Sequence, residues 1–177
     1  VHTVTATDAN MCTISSTVTI TEPTAVTASI ASSVSVTCNG GNDGEATAAA
    51  NGGTGAYNFV WSDGQTTALA TGLATNNYTV TITDANMCAS TASISITEPT
   101  VVTVTIGAPT NVSCNGGNDG AATATGMGGI GTITYEWSAN ASGQTTATAT
   151  GLTAAVYSVT VSDGNMCTAT ESVTITE

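Results

Sequence analysis

The chain has 177 residues, twelve of them acidic and one a histidine, with no lysine or arginine, for a formal net charge of −12. Nucleic-acid binding needs cations to neutralise phosphate, and docking on anionic lipid needs a basic patch, so both are excluded. Lysine–asparagine cross-links cannot form and ion pairs are confined to His2 and a terminal amine, leaving apolar burial, backbone hydrogen bonds and disulfides to hold the fold.

The first predicted element is a hairpin. Apolar residues alternate with Thr on the way into Asp8-Ala-Asn-Met-Cys12, and Val18 and Ile20 share a face on the way out. Asp and Asn supply the turn chemistry. The same turn returns as Asp84 to Cys88 and as Asp163-Gly-Asn-Met-Cys167. A second motif, Cys38-Asn-Gly-Gly-Asn-Asp-Gly44, reappears unchanged as Cys114 to Gly120. Cys12 to Cys88 and Cys38 to Cys114 are each 76 residues, and Cys88 to Cys167 is 79. Self-similarity at a fixed period is the mark of a tandem array. Residues 1–22 read as the C-terminal part of one repeat, with complete repeats over 23–98 and 99–177.

Within 23–98 the chain order is a strand around Ala25 to Thr37, the Asn39–Gly44 loop, and a second strand near Glu45 to Ala50. A Gly52-Gly53 turn leads to a third strand, Tyr57 to Trp61, and a loop. A short strand near Ala68 to Ala70 and a Gly72-Leu73 turn precede a long strand in which Tyr78, Val80 and Ile82 share one face. A last strand carries Ile94 and Ile96 to the Glu98-Pro99 linker. The three extra residues of the final repeat lie between tryptophan and glutamine, where Ser62-Asp-Gly64 becomes Ser138-Ala-Asn-Ala-Ser-Gly143. Insertions of this kind belong in surface loops. Six or seven short strands with period-2 alternation predict an all-β fold of tandem immunoglobulin-like β-sandwich repeats, with Trp61 and Trp137 between the sheets.

Regular cysteines in small β-rich units point to disulfides and an oxidising, extracellular setting. The preferred pairing is within each repeat, Cys38 with Cys88 and Cys114 with Cys167, leaving Cys12 to a partner outside the window. The objection is geometric: in an immunoglobulin topology the first loop and the last hairpin lie at opposite poles, and pairing across neighbouring repeats is the alternative. No run of apolar residues approaches the ~18 needed to cross a bilayer, so direct membrane insertion is not expected. An export signal and an anchor are expected elsewhere in a longer parent chain.

Candidate chemistry is sparse. Aligned on the turn aspartates, His2 takes the place of Tyr78 and Tyr157, a ring at a strand start. Hydrolytic triads, zinc clusters and phosphate-binding loops lack their parts, so no catalytic residue is assigned. Asp43, Glu45 and Asp119 lie in or beside oxygen-rich loops and are the candidate Ca²⁺ ligands, although ordinary turns use the same residues. No other cofactor is expected. Asn77, Asn111 and Asn140 open Asn-x-Ser/Thr sequons.

Val36-Thr-Cys-Asn-Gly-Gly-Asn-Asp-Gly44, Tyr57 to Trp61, Gly72-Leu73, Tyr78-Thr-Val-Thr-Ile-Thr-Asp84, Cys88 and Thr97-Glu-Pro99 together resemble the SprB repeat, and the final repeat carries nearly all of them. Met11, Met87 and Met166 stand where that family usually has glycine. The resemblance implies very large secreted surface proteins of gliding and related Bacteroidetes-type bacteria, acting as cell-surface filaments or adhesins, with no catalytic residues to carry over. A structural segment of an extracellular filament or adhesin stalk is the expected function. Its expected partners are neighbouring repeats of the same chain and, laterally, other filaments. A β-sandwich module that binds a glycan or surface, rigidified or not by Ca²⁺, is the alternative.

Overall fold

Alternation of Val, Ile and Tyr with Thr and Ser gives each strand one face to bury and one to hydrate. The computed structural model describes Val1–Glu177 and follows that pattern in the core strands of both full repeats. A lone hairpin, β1 (His2–Thr7) and β2 (Thr13–Val18), comes first. The first full repeat comprises β3 (Thr27–Val34), β4 (Gly44–Asn51), β5 (Asn58–Trp61), β6 (Leu69–Leu73), β7 (Asn76–Thr83) and β8 (Ala89–Ile96). The second comprises β9 (Thr103–Ile106), β10 (Gly120–Met127), β11 (Thr134–Trp137), β12 (Thr148–Leu152), β13 (Ala155–Ser162) and β14 (Thr168–Ile175).

In the first repeat the sheet β3-β4-β6 faces the sheet β5-β7-β8, and in the second β9-β10-β12 faces β11-β13-β14. In immunoglobulin lettering this is A-B-E against C-F-G, without strand D. Both repeats are therefore immunoglobulin-like β-sandwiches, as the alternation predicted. The long strands bear this out: Tyr78, Val80 and Ile82 are buried along β7, as are Tyr157, Val159 and Val161 along β13. Tyr78 Oη donates to Ala74 O at 3.2 Å and Tyr157 Oη to Thr153 O at 3.1 Å. This is the tyrosine corner that fixes the E–F connection in such sandwiches.

Each repeat has its own core. Trp61 sits among Ala46, Ala70, Leu73, Val80 and Ile96, and Trp137 among Ala122, Ala149, Leu152, Val159 and Ile175. Small alanines on strands B and E make room for the indole, whose Nε1 donates to Thr67 O at 2.9 Å or Thr146 O at 3.0 Å. The post-tryptophan loop holds the insertion as predicted. Its longer version winds Ala139–Ala141 into one 3₁₀ turn that buries Ala141.

The first strand of each repeat is shorter than its alternation suggests. β3 is predicted over 25–37 but covers Thr27–Val34, with a register shift between Ile30 and Ser32. Beyond it the chain leaves β4 and runs alongside β8, where Val36 N donates to Thr97 O at 3.0 Å. In the second repeat Gly107-Ala-Pro109 makes the same break, and Val112 N donates to Thr176 O at 3.1 Å. Pro109 has no N–H to give a ladder, which suits it to that exit.

The lone hairpin shares the register of its counterparts. His2 pairs with Val18 as Tyr78 pairs with Ile94, which places the imidazole where the tyrosine ring stands. Val4, Ile14 and Val18, on a face that other repeats bury, are exposed here.

Candidate functional site at the joint between repeats

Chain direction gives each sandwich two unlike poles. At one pole strand A begins, beside the B–C loop and the F–G hairpin. Gly53 N donates to Thr24 O at 2.7 Å, and Ala85 N donates to Thr54 O at 3.1 Å. At the other pole lie the A–B loop, the E–F turn and the end of strand G. The chain enters at the F–G pole and leaves at the A–B pole, so the A–B pole of one repeat meets the F–G pole of the next.

The A–B loop is braced from inside. Asp43 Oδ1 accepts Thr37 N at 2.9 Å, and Asp119 accepts both Ser113 N at 3.0 Å and the Ser113 hydroxyl at 2.6 Å. Hydrogen bonds from the side chain and then the backbone of Thr37 hold the Asp43 carboxyl below its ordinary range, and Ser113 does the same for Asp119. The strand-ending glutamate closes the loop from below. Gly40 N donates to Glu98 Oε2 at 2.6 Å and Asn39 Nδ2 to Pro99 O at 3.0 Å. The second repeat repeats the clasp: Gly116 N donates to Glu177 Oε2 at 3.0 Å and Asn115 Nδ2 to Glu177 Oε1 at 2.9 Å.

The F–G hairpin is organised by one aspartate. Asp163 Oδ1 accepts Asn165 N at 2.9 Å and Cys167 N at 2.8 Å, while Oδ2 accepts Ile130 N from the B–C loop at 2.8 Å. Asp84 makes the same three bonds to Asn86, Cys88 and Thr54. Both carboxylates are buried, and their pKa values lie below the usual range. The leading cause is the B–C loop N–H, from Ile130 or Thr54. That approach requires glycine: a Cβ on Gly129, at φ +66°, would lie 2.3 Å from Asp163 Oδ2. The hairpin also turns through a left-handed methionine, at φ 63° for Met11, 67° for Met87 and 64° for Met166.

At the joint the two poles are covalently joined. Cys38 of the first A–B loop is bonded to Cys167 of the second F–G hairpin, with a Cα–Cα separation of 5.7 Å. Asn165 Nδ2 from the same hairpin donates to Thr37 O at 3.1 Å. A shallow groove beside the bond is lined by Asn39, Val101, Val102 and Met166. The expected pairs Cys38–Cys88 and Cys114–Cys167 are therefore corrected: Cys12, Cys88 and Cys114 are free and exposed. The physical reason is polarity, since Cys38 and Cys88 sit at opposite poles of one sandwich while Cys167 is carried to Cys38 by the stacking. Pairing across neighbouring repeats, the alternative at the level of sequence, is what the fold adopts.

The candidate Ca²⁺ ligands are not brought together. Asp43 and Asp119 serve as loop braces in different repeats, and Glu45 lies exposed on β4 opposite Val34. No group of three His, Cys, Asp or Glu side chains is arranged to hold a metal ion. Two contributors escaped the sequence reading, Glu98 as the clasp of the A–B loop and Asn165 as the bridge to Thr37. The recurrence of Glu before Pro at Glu22-Pro23 and Glu98-Pro99 was a signal for the first, although it reads equally well as a stiff linker.

No curated protein matches the chain. Among solved structures, the fibronectin(III)-like modules of CbhA from Clostridium thermocellum match at 18% identity over 84% of this chain and 92% of that one, with a TM-score of 0.35. The family model described as SprB repeat matches residues 30–66 and 106–142. Each matched segment runs from strand A through the braced A–B loop and its cysteine to the residues just after the core tryptophan. One SprB-repeat segment is thus matched in each of the two sandwiches.

Proposed function

We propose that the chain is a load-bearing segment of a long extracellular filament or adhesin stalk, whose repeats act as spacers and perform no chemistry. The observation that carries the reading is the joint, where unlike poles of successive sandwiches meet and a disulfide crosses between them. Entry at one pole and exit at the other lets repeats add head to tail, so length follows copy number. The disulfide supports an oxidising location outside the cell, and kinship with SprB repeats supports the surface of a gliding-type bacterium. Neighbouring repeats are the immediate partners, and side-by-side filaments are the lateral ones.

Small-angle scattering on the chain, and on versions lengthened by further copies of residues 99–177, tests the proposal. The maximum dimension should grow by roughly 35–45 Å with each added copy, as strands rising about 3.3 Å per residue dictate. A dimension that stays flat as copies accumulate, as in a chain folding back on itself, would overturn the proposal.

A further inference from the structure

Repeat symmetry extends the Cys38–Cys167 bond to the cysteines that are free here. Cys114 holds the place of Cys38 in its repeat, and Cys88 and Cys12 hold the place of Cys167 in theirs. The second A–B pole is built like the first, down to the Glu177 clasp on Gly116 and the Asp119 brace on Ser113. Cys88 N is held by Asp84 at 2.9 Å as Cys167 N is held by Asp163 at 2.8 Å. Cys88 and Cys114 therefore sit in copies of a setting whose sibling is bonded in this same molecule.

We infer that in a tandem array each joint is crossed by one disulfide, from the A–B loop cysteine of a repeat to the F–G hairpin cysteine of the next. Cys114 takes the hairpin cysteine of a following repeat, and Cys88 and Cys12 each take the loop cysteine of the repeat before their own. The inference rests on the array reading proposed above. Formation is a thiol–disulfide exchange: two thiols surrender two protons and two electrons to a disulfide-class oxidant, which leaves as a dithiol while one S–S bond forms and another breaks.

The ladder changes how tension travels. From Cys88 to Cys114 is 26 residues, running through β8, the Glu98-Pro99 linker and β9. Fully extended, that segment reaches about 90 Å, close to the length of the two repeats it traverses, so it is already almost taut. At each end a disulfide hands the load to a similar segment one repeat further on. Two such tracks interleave, and each repeat contributes its G strand to one and its A strand to the other. Strands B to F, which carry the tryptophan and most of its core neighbours, lie outside both tracks. Pulling therefore loads covalent bonds and the A and G strands, and does not bear directly on strands B to F.

Stretching the 177-residue chain by its ends tests the bypass. With the bond intact only residues 1–38 and 167–177 can be pulled straight, so the final length should fall about 450 Å short of that reached after reduction. Equal lengths in both states would overturn the bypass. The ladder is tested by appending a second copy of residues 99–177 after Glu177 and oxidising with glutathione disulfide. Of seven cysteines three should stay reactive to alkylation, and non-reducing peptide maps should join Cys114 to Cys167 of the appended copy. In the same chain Cys114→Ser should raise the reactive number to four. Cys114 left reactive, or bonded inside its own repeat, would overturn the ladder. If scattering then still shows a rod, the ladder fails and the stalk proposal stands; a bonded joint in a folded-back chain has the reverse meaning.

Discussion

At the scale of single residues, the F–G turn sets a backbone preference against its side chain. Met166 sits at φ 64° and is exposed, so it packs against little while occupying a conformation that costs an L-residue about 1–2 kcal/mol. Glycine reaches that region freely, although it also gains freedom in the unfolded chain. Met166→Gly should therefore raise stability by about 0.5–1 kcal/mol, read as a higher denaturant midpoint at unchanged slope. A lower midpoint would show that Met166, beside the groove at the joint, contributes contacts worth more than its strain. The glycine usual at this place in SprB repeats was a signal for a left-handed turn, but the sequence reading drew no backbone conformation from it. Nothing comparable announced Gly129, because the carboxylate that crowds it comes from 34 residues away.

At the scale of strands, alternation told almost everything and pairing of distant loops almost nothing. Tyr78, Val80 and Ile82 could be put on the buried face of β7 from period alone, and the insertion after Trp137 located a loop. The exit of β3 from its sheet was hidden, because Val34 and Val36 continue the same alternation while the backbone changes partner from β4 to β8. Disulfide connectivity was hidden for a different reason: the repeat pattern offers Cys38 a hairpin cysteine 50 residues away in its own repeat and another 129 residues away in the next, and only the poles separate them. The tryptophan strand offers the sharpest check on the packing. Trp137 is almost fully buried against alanines too small to close a void. Trp137→Ala should cost about 3–5 kcal/mol, typical of a large aromatic removed from a core. Because the first repeat has its own core, hydrogen exchange should show the loss in residues 99–177 while Trp61 and its neighbours stay protected. Equal loss of protection in both repeats would mean that they unfold as one unit.

At the scale of the whole molecule, absence of lysine and arginine gives the chain an unusual response to acid. Proteins commonly unfold at low pH as positive charge accumulates, but here protonation only removes negative charge, and little beyond His2 and the amino terminus can become positive. What acid does attack is the set of hydrogen-bonded aspartates. Asp43, Asp84, Asp119 and Asp163 all have folded-state pKa values below the ordinary carboxylate value. The unfolded chain then binds more protons than the folded one, so their stabilisation is complete above the unfolded pKa of about 3.9 and is lost as pH falls through the lower folded values. Mutual repulsion between rods needs only partial loss of the −12 charge to fade, whereas the clamps hold until their own lowered pKa values are reached. Descending from pH 7, light scattering should therefore rise from association of folded rods before the strand circular dichroism weakens. Added salt should bring that rise to higher pH, since charges on neighbouring rods are screened beyond ~10 Å at 0.1 M. Loss of the strand signal above pH 5, ahead of any scattering, would show that the aspartate clamps do not set the acid limit of stability, since charge repulsion only falls as protons bind.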